Sequence, residues 1–339
     1  MDKRGDVLFV YKIVYVIVSN ADDMFYEQAI ISMLSVRKYM KNIPIIVLSD
    51  DDTYASFVER RKEIFELADE VKRIHIEEKL LNCEKSRWLK TNMRNYVEGD
   101  FLYLDVDTVV CDDLEDIDRT KDIACVMDKH YRLSEHPNRV FVEKNAKKCG
   151  YRTCYNDIHF NSGVMWVKDT PISYDFFVMW HELWQKGLEE GVAADQTSLN
   201  EANCRMNGMI SELSGIWNCQ ISNYTKGVQY LFNCKVIHYF ASYGNKGVPY
   251  DLADKDIIKS VLNKEDRVSI DSIIENPKSA FKCVYWLGNN KEEAEVLKSY
   301  VFRDILYLFN RCRIIFNIWN FCIRCRKKLF DILFVKWNK

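Results

Sequence analysis

The sequence predicts an α/β fold in which a mostly parallel central sheet is flanked by helices. Short β-branched runs alternate with stretches whose apolar residues recur at helical spacing, an order typical of βαβ units. Polar or acidic residues follow two of these runs, in VIVS-NADD and LYLD-VD, and ligands of such sheets bind at the carboxyl ends of the strands. Hydrophobic residues make up 48% and charged residues 29% of the chain, which is typical of globular proteins and excludes disordered and fibrous classes.

Four strands and three helices are predicted in the first 105 residues. The strands are rich in β-branched and aromatic residues, and the helices have apolar residues three and four positions apart. In chain order these elements are a strand over 14–19, a helix over 25–40, a strand over 43–50, a helix over 53–68, a strand over 71–76, a helix over 85–98 that Gly99 ends, and the strand FLYLD over 101–105.

The second half of the chain is less regular. The same patterns predict strands near 122–127, 159–167 and 234–239, and helices near 173–187 and 195–203. With 12 glycines and 5 prolines among 339 residues, no linker stands out. We therefore expect one large domain over residues 1–265, followed by a helical, basic C-terminal segment over 266–339.

Asp105 and Asp107 end the apolar run FLYLDVD. Residues i and i+2 of an extended strand face the same side, about 6.6 Å apart, so these two carboxylates can converge on one cation. A hard divalent ion held by one or two carboxylates keeps open positions that suit the phosphate oxygens of a nucleotide. The alternative is a pair of solvated acids at the start of a loop.

Five ordered blocks of the sequence resemble the bacterial branch of glycosyltransferase family 8, and more widely the sugar-nucleotide transferases of the GT-A fold. The resemblance extends from Tyr11 to Tyr250. The blocks are VIVSNADDMFY (16–26), RWLKTNMRNYVEGDFLYLDVDTVV (87–110), HFNSGVMWVK (159–168), ADQTSLN (194–200) and VIHYF (236–240). Their shared order and spacing carry the resemblance, because each block alone is a weak signal.

The resemblance implies a metal site and a donor site. Asp105, Asp107 and His238 would bind manganese or magnesium, although a histidine at a strand end is more often a core or surface residue. The donor-binding residues would be Ser19, Asn20 and Asp22 at the nucleoside, Arg87 and Lys90 at the diphosphate or sugar, Asp105 and Lys246 at the diphosphate, and Asn161, Ser162 and Gly163 at the sugar. The loop HYFASYGNKGVPY, which contains Lys246, departs from the His-x-x-Gly-x-x-Lys-Pro spacing of the family.

The resemblance also implies a catalytic group formed by Gln196, Asp195 and Arg87, while Asp128, which ends the predicted strand IACVMD, is a candidate for contact with the acceptor. Several of the site residues have an ordinary structural interpretation as well. Asp195 can begin a helix, and Arg87 and Lys90 can form a solvated helix face. Asp22 can stabilise the dipole of the helix that follows it.

The implied activity is transfer of a hexose from a UDP-sugar to a saccharide or lipid-linked saccharide acceptor in cell-surface glycan synthesis such as lipopolysaccharide biosynthesis. Family 8 enzymes retain the anomeric configuration, and the resemblance implies the same here. Two other functions stay open. One is a haloacid-dehalogenase-like phosphatase, although Val109 stands where that family has threonine. The other is a non-catalytic scaffold that binds a sugar nucleotide.

Residues 303–339 contain nine lysines and arginines but two aspartates. They alternate with aliphatic and aromatic residues at helical spacing, a pattern typical of a helix that lies on anionic lipid. The longest uncharged run, IIFNIWNFCI, is too short to span a bilayer. We expect a peripheral protein at the cytoplasmic face of the membrane, with a protein interface as the alternative and no nucleic-acid partner.

The 12 cysteines are scattered, which favours reduced thiols over a disulfide framework. Cys322 and Cys325 form the one CxxC motif, and without a second pair nearby we do not expect a metal there. The first 18 residues combine charge and apolar residues in the order of a signal peptide. Because they lack a small-residue cleavage site, residues 13–18 are interpreted as a buried strand.

Overall fold

The computed structural model describes residues 11–76, 79–220, 225–239, 274–275, 277–278, 299–323 and 325. The chain forms two compact units, residues 1–282 and 283–339. The predicted domain boundary after residue 265 lies outside the described residues and stays a prediction.

The first unit is a mixed α/β domain, as predicted. Its strands are β1 (Tyr11–Ile17), β2 (Ile45–Asp50), β3 (Glu70–Ile74), β4 (Asp100–Leu104), β5 (Thr108–Val110), β6 (Ile123–Met127), β7 (Phe160–Val167), β8 (Ser211–Glu212), β9 (Cys219–Gln220) and β10 (Val236–His238). Its described helices are α1 (Phe25–Tyr39), α2 (Asp51–Glu59), α3 (Ile64–Leu67), α4 (Asn82–Asn92), α5 (Arg139–Cys149), α6 (Pro171–Glu189), α7 (Asp195–Arg205) and α8 (Val228–Leu231).

Seven strands form the central sheet, in the order β3-β2-β1-β4-β7-β6-β8. The strands from β3 to β4 are mutually parallel, and β8 is parallel to β6. Strand β7 runs antiparallel to both of its neighbours, β4 and β6. The sheet is therefore mostly parallel, and its one reversed strand brings the start of β7 beside the end of β4.

A second sheet of three short strands has the order β5-β10-β9. Strand β10 is antiparallel to β5, with Val236 opposite Val110 and His238 opposite Thr108, and it is parallel to β9. This small sheet begins directly after the DxD segment, because β5 starts one residue beyond Asp107.

Both faces of the central sheet are buried. Along β1, Ile13 and Tyr15 pack into one apolar cluster, whereas Val14 and Val16 pack into another on the opposite face. Near-continuous apolar strands are expected where helices cover both faces of a sheet. The strand end that carries Asp105 is thus anchored from both sides.

One predicted helix, over 53–68, is two helices in the structure, α2 and α3. Helix α2 ends where the amides of Arg60 and Arg61 both donate to the Ser56 carbonyl. The Arg61 guanidinium reaches back to Ser19 and Asn20 and lies over the Tyr26 ring. Contacts with the β1 end therefore override the helical periodicity of the local sequence.

Three further boundaries differ from the predictions. The helix predicted over 85–98 is α4, which begins at Asn82 and ends at Asn92, followed by a 3-10 turn over Met93–Asn95. The strand predicted over 71–76 ends at Ile74, and the one predicted over 234–239 spans Val236–His238. Helix α5 was not predicted.

The second unit contains helix α9 (Tyr300–Arg311) and a helical segment over 313–323. Within these residues Cys322 and Cys325 are exposed free thiols. Among the helices that the structure describes, none has the length and apolar character that a membrane span requires.

Candidate functional site

The DxD segment lies in the turn between β4 and β5. The Asp105 amide donates to the Gly163 carbonyl of β7 at 2.7 Å, and the Thr108 hydroxyl donates to the Asp105 carbonyl at 2.7 Å. Strand β1 is parallel to β4, so its carboxyl end lies at the same edge of the sheet. The turn is therefore held from two sides at the edge where such sheets bind ligands.

His238 completes a group of three side chains with these two aspartates. Its Nε2 lies 3.2 Å from Asp107 Oδ1 and 3.9 Å from Asp105 Oδ2, and one ligand atom from each residue lies within 4.8 Å of the others. Burial alone would lower the pKa of His238, but the carboxylates of Asp107 and Asp105 raise it. Two carboxylates and an imidazole suit a divalent cation of the manganese type, so this donor set fits the predicted metal.

Gly163 leaves the space that the His238 ring occupies. A Cβ atom at this position would lie 2.2 Å from His238 Cε1 and 2.8 Å from Asp105 Oδ2. Glycine is therefore required here by a close approach of side chains to the backbone of β7.

Lys90, on α4, lies behind Asp105. Its Nζ donates to Asp105 Oδ1 at 2.8 Å, and the Tyr103 hydroxyl donates to the same oxygen at 2.6 Å. Burial alone would lower the pKa of Lys90, but the nearby carboxylates of Asp105 and Asp195 raise it. Asp105 Oδ1 is thus fixed by two donors, while Oδ2 faces His238.

Asp195, the first residue of α7, joins the same group. Its Oδ2 accepts from the Ser162 hydroxyl at 2.8 Å and lies 3.5 Å from Lys90 Nζ, while Arg87 Nε is 3.8 Å from Oδ1. Burial alone would raise the pKa of Asp195, whereas Lys90 and Arg87 hold it below its ordinary value. Asp195 is therefore an ionised, immobilised carboxylate.

Asn161 links the remaining predicted residues. Its Nδ2 donates to Asp128 Oδ1 at 3.0 Å and lies 3.5 Å from Gln196 Oε1. The other oxygen of Asp128 lies 2.9 Å from Nε2 of buried His136. Burial alone would raise the pKa of Asp128, but the hydrogen bond with His136 lowers it. Both oxygens of this candidate acceptor residue are engaged within the protein.

The predicted nucleoside residues Ser19, Asn20 and Asp22 lie in the turn after β1. Ser19 Oγ donates to Asp23 Oδ1 at 2.6 Å, and Asn20 Oδ1 accepts from the Asp22 amide at 2.7 Å. The turn is cross-linked by its own short polar side chains and leaves Asn20 and Asp22 exposed. Lys246, the remaining predicted donor residue, lies outside the described residues.

The residues that contact the predicted site and were not themselves predicted include Tyr103, His136 and Asn218, whose Oδ1 lies 2.9 Å from His238 Nδ1. Tyr103 has a sequence signal, since it precedes Asp105 by two positions on the same strand and therefore shares its face. His136 directly follows the 3-10 turn Leu133–Glu135, and Asn218 ends the 3-10 turn Gly215–Asn218. Neither segment has a periodic pattern from which a role could be inferred.

The nucleotide-diphospho-sugar transferase family matches residues 40–245 of this chain, which is more than half of its 339 residues. No curated protein matches the chain by sequence.

Several solved glycosyltransferase structures are similar to the chain. The galactosyltransferase LgtC, in complex with donor and acceptor sugar analogs, has 18% identity and a TM-score of 0.48 over 76% of this chain and 99% of its own. Mouse xyloside xylosyltransferase 1 has 15% identity and a TM-score of 0.45 over 70% and 99%. The glycosyltransferase GlyE of Streptococcus pneumoniae has 17% identity and a TM-score of 0.47 over 80% and 64%.

Proposed function

Because this chain belongs to the nucleotide-diphospho-sugar transferase family and is a glycosyltransferase, we propose that it transfers a hexose from a UDP-sugar with the help of a divalent cation. The observation that carries this proposal is the convergence of Asp105, Asp107 and His238 on one point. Family membership also favours transfer over the phosphatase and scaffold alternatives.

The charges around this point suit a cation and a diphosphate together. Asp105, Asp107 and Asp195 contribute three negative charges, which Lys90 and Arg87 offset in part. With a neutral His238 the sum is −1, so a bound divalent cation would change it to +1. An anionic diphosphate is attracted to such a site.

A bound manganese or magnesium ion would act as a Lewis acid that neutralises charge on the departing diphosphate. Asp105, Asp107 and His238 would hold it. Arg87, which is partly exposed on α4, can contact the same phosphate oxygens and stabilise the charge that develops on them. Lys90 is buried against Asp105 and Asp195, so its role is to fix these carboxylates.

The reaction course is proposed to retain the anomeric configuration. A double displacement needs a free carboxylate nucleophile about 5 Å from its acid partner. The Asp195 carboxylate is held by Ser162 and Lys90, and Gln196 is an amide, which is a poor nucleophile. We therefore favour departure and attack on the same face, with a leaving phosphate oxygen accepting the proton of the acceptor hydroxyl.

The turn after β1 is proposed to hold the nucleoside. Asn20 and Asp22 are exposed there, so their side chains can reach a base edge and a ribose. UDP is favoured as the carrier by the resemblance of VIVSNADDMFY to family 8. Ser162 and Gly163, beside Asp195 and His238, would line the sugar.

The acceptor is proposed to be a saccharide or a lipid-linked saccharide of a cell-surface glycan. Asp128 stays the predicted contact. Since both of its oxygens are engaged by Asn161 and His136, it would act on the acceptor through Asn161 or after a change of partner.

The proposal predicts slow release of UDP when no acceptor is present. The purified protein would be stripped of metal with a chelator, supplied with a panel of UDP-hexoses, and assayed for UDP with and without Mn²⁺. We expect little release of UDP from the metal-free protein. Addition of Mn²⁺ should restore the release of UDP from one of the sugar nucleotides. An absence of both UDP release and Mn²⁺-dependent UDP binding would refute the proposed donor.

The C-terminal unit is proposed to bind the cytoplasmic surface of a membrane. Apolar side chains of the segment 313–323, Ile314, Ile318 and Phe321 among them, are exposed beside the exposed Arg311 and Arg313. Such a surface suits anionic lipid, which attracts basic residues by about 1 kcal/mol each near the headgroups.

Vesicle sedimentation of the full-length protein tests this second proposal. We expect binding to phosphatidylglycerol vesicles, weaker binding to phosphatidylcholine vesicles, and a loss of binding as salt is raised. The double variant Arg311→Glu, Arg313→Glu should lose most of this binding. Its matched control, Lys144→Glu with Lys147→Glu on exposed positions of α5, makes the same charge change and should bind normally. Equal loss in both would show that overall charge, and not the C-terminal unit, determines binding.

A further inference from the structure

The imidazole of His238 is held on its second nitrogen by a residue that no motif predicts. His238 Nδ1 lies 2.9 Å from Asn218 Oδ1, on the side of the ring opposite the two aspartates. Asn218 is fully buried, and its Nδ2 donates to Asn161 Oδ1 at 2.9 Å. Both ends of the Asn218 amide are therefore engaged.

A backbone group determines which way each amide in this chain of hydrogen bonds points. The Gly163 amide, which can only donate, contacts Asn161 at 2.9 Å, so the Asn161 atom there must be Oδ1. The Asn218 atom that contacts the same oxygen must then be the donor Nδ2. Asn218 consequently presents its oxygen to His238.

An oxygen acceptor requires a proton on His238 Nδ1. In the neutral imidazole the other nitrogen, Nε2, then carries the lone pair, and Nε2 is the atom that faces Asp105 and Asp107. The tautomer that can bind a cation is thus specified by a series of hydrogen bonds that starts at the Gly163 amide of β7.

We propose that Asn218 is a positioning residue that fixes the tautomer and the ring orientation of His238 for cation binding. This inference rests on the proposed function, in which Asp105, Asp107 and His238 hold a divalent cation. Partners of metal-binding histidines commonly orient the ring, and their loss typically costs 10- to 100-fold in metal affinity or activity. Asn218 would act on the cation only through His238.

A purely structural role for Asn218 makes a different prediction. If the amide only satisfied buried polar groups, its replacement would lower stability but leave the metal affinity of the folded protein unchanged. Asn203 provides the comparison, because it is also a buried asparagine, and its Oδ1 accepts from the Ile210 amide at 2.8 Å without contacting the metal site residues.

The test measures Mn²⁺ affinity without turnover, by the loss of the free-ion signal in electron paramagnetic resonance. Asn218→Leu should bind Mn²⁺ about 10- to 100-fold more weakly than wild type, whereas Asn203→Leu should bind normally. Asn218→Asp keeps an acceptor for Nδ1–H and should bind more tightly than the leucine variant. Circular dichroism at the same temperature establishes that each variant is folded.

The outcomes separate this inference from the proposed function. If wild type binds no Mn²⁺, the proposed metal site is wrong, and the inference falls with it. If wild type binds and folded Asn218→Leu binds equally well, the inference alone is overturned.

A second measurement needs no variant. With the diamagnetic cation Zn²⁺ bound to wild type, ¹⁵N chemical shifts of the His238 ring should show a protonated Nδ1 and a metal-bound Nε2 without a proton. A protonated Nε2 in the loaded protein would overturn the inference even if every variant failed to fold.

Discussion

Replacement of Asp107 by alanine should lower Mn²⁺-dependent UDP release by about a thousandfold. The carboxylate lies 3.2 Å from His238 Nε2 and would supply one of the three proposed ligand groups. Without it, the protein would hold the cation less tightly and would lose several kcal/mol of charge stabilisation on the departing diphosphate, and each 1.36 kcal/mol corresponds to about a factor of ten in rate. The release rate from the preferred UDP-sugar and the Mn²⁺ affinity together measure the effect.

Asp175→Ala is the matched control for this change. Asp175 is exposed on α6, so its loss should leave both the rate and the Mn²⁺ affinity unchanged. A folded Asp107→Ala protein with wild-type metal-dependent release would contradict the assignment of Asp107 as a ligand.

Addition of one methyl group, in Gly163→Ala, should reduce both Mn²⁺ affinity and UDP release by about a hundredfold. The new Cβ would lie 2.2 Å from His238 Cε1, so the ring must move by about 1 Å or more. A misplacement of this size near reacting groups costs about 10²-fold in rate. Titration with Mn²⁺ and the UDP-release assay measure the two effects separately.

Gly187→Ala is the control for the glycine substitution. Gly187 is a buried glycine of α6, and a Cβ there would meet the Val192 carbonyl oxygen at 3.3 Å and Cys149 Sγ at 3.7 Å. These contacts are much looser, and alanine favours a helix over glycine by about 1 kcal/mol. We expect a normal site in this variant. Wild-type Mn²⁺ affinity in folded Gly163→Ala would contradict the prediction, because it would show that the His238 ring can shift without weakening the metal site.

The central strands could be predicted because burial on both faces leaves a strong apolar pattern. Strands β1, β2 and β4 are such cases. Strands β2 and β4 begin within two residues of their predicted starts, and β1 begins three residues before its predicted start. The direction of β7 could not be predicted from the sequence, because parallel and antiparallel strands share the same periodicity. Strands of two or three residues, such as β5, β8 and β9, are too short for any period to be recognised.

The residues of the candidate site also include some that local sequence predicts and others that it does not. Asp105 and Asp107 could be predicted as neighbours from their spacing, but the strand geometry assumed for them was wrong, because β4 ends at Leu104 and both aspartates lie in the turn that follows. The approach of His238 depends on the pairing of β10 with β5, and it was inferred only through resemblance. The contact of Lys90 with Asp195 joins α4 to α7, and the position of Asn218 depends on a 3-10 turn. Such contacts are determined by tertiary packing, which local periodicity does not encode.

The small sheet that carries His238 also has a consequence for folding. The two aspartates follow β4, but His238 arrives only when β10 pairs with β5 across the intervening 125 residues that separate Val110 from Val236. Pairing over such a separation forms slowly, because a long loop must close first. A nascent chain that has completed β1 to β7 would possess both carboxylates and Gly163 without the imidazole. High-affinity binding of the proposed cation would therefore be acquired late, and it would distinguish the fully folded domain from its partly folded precursors.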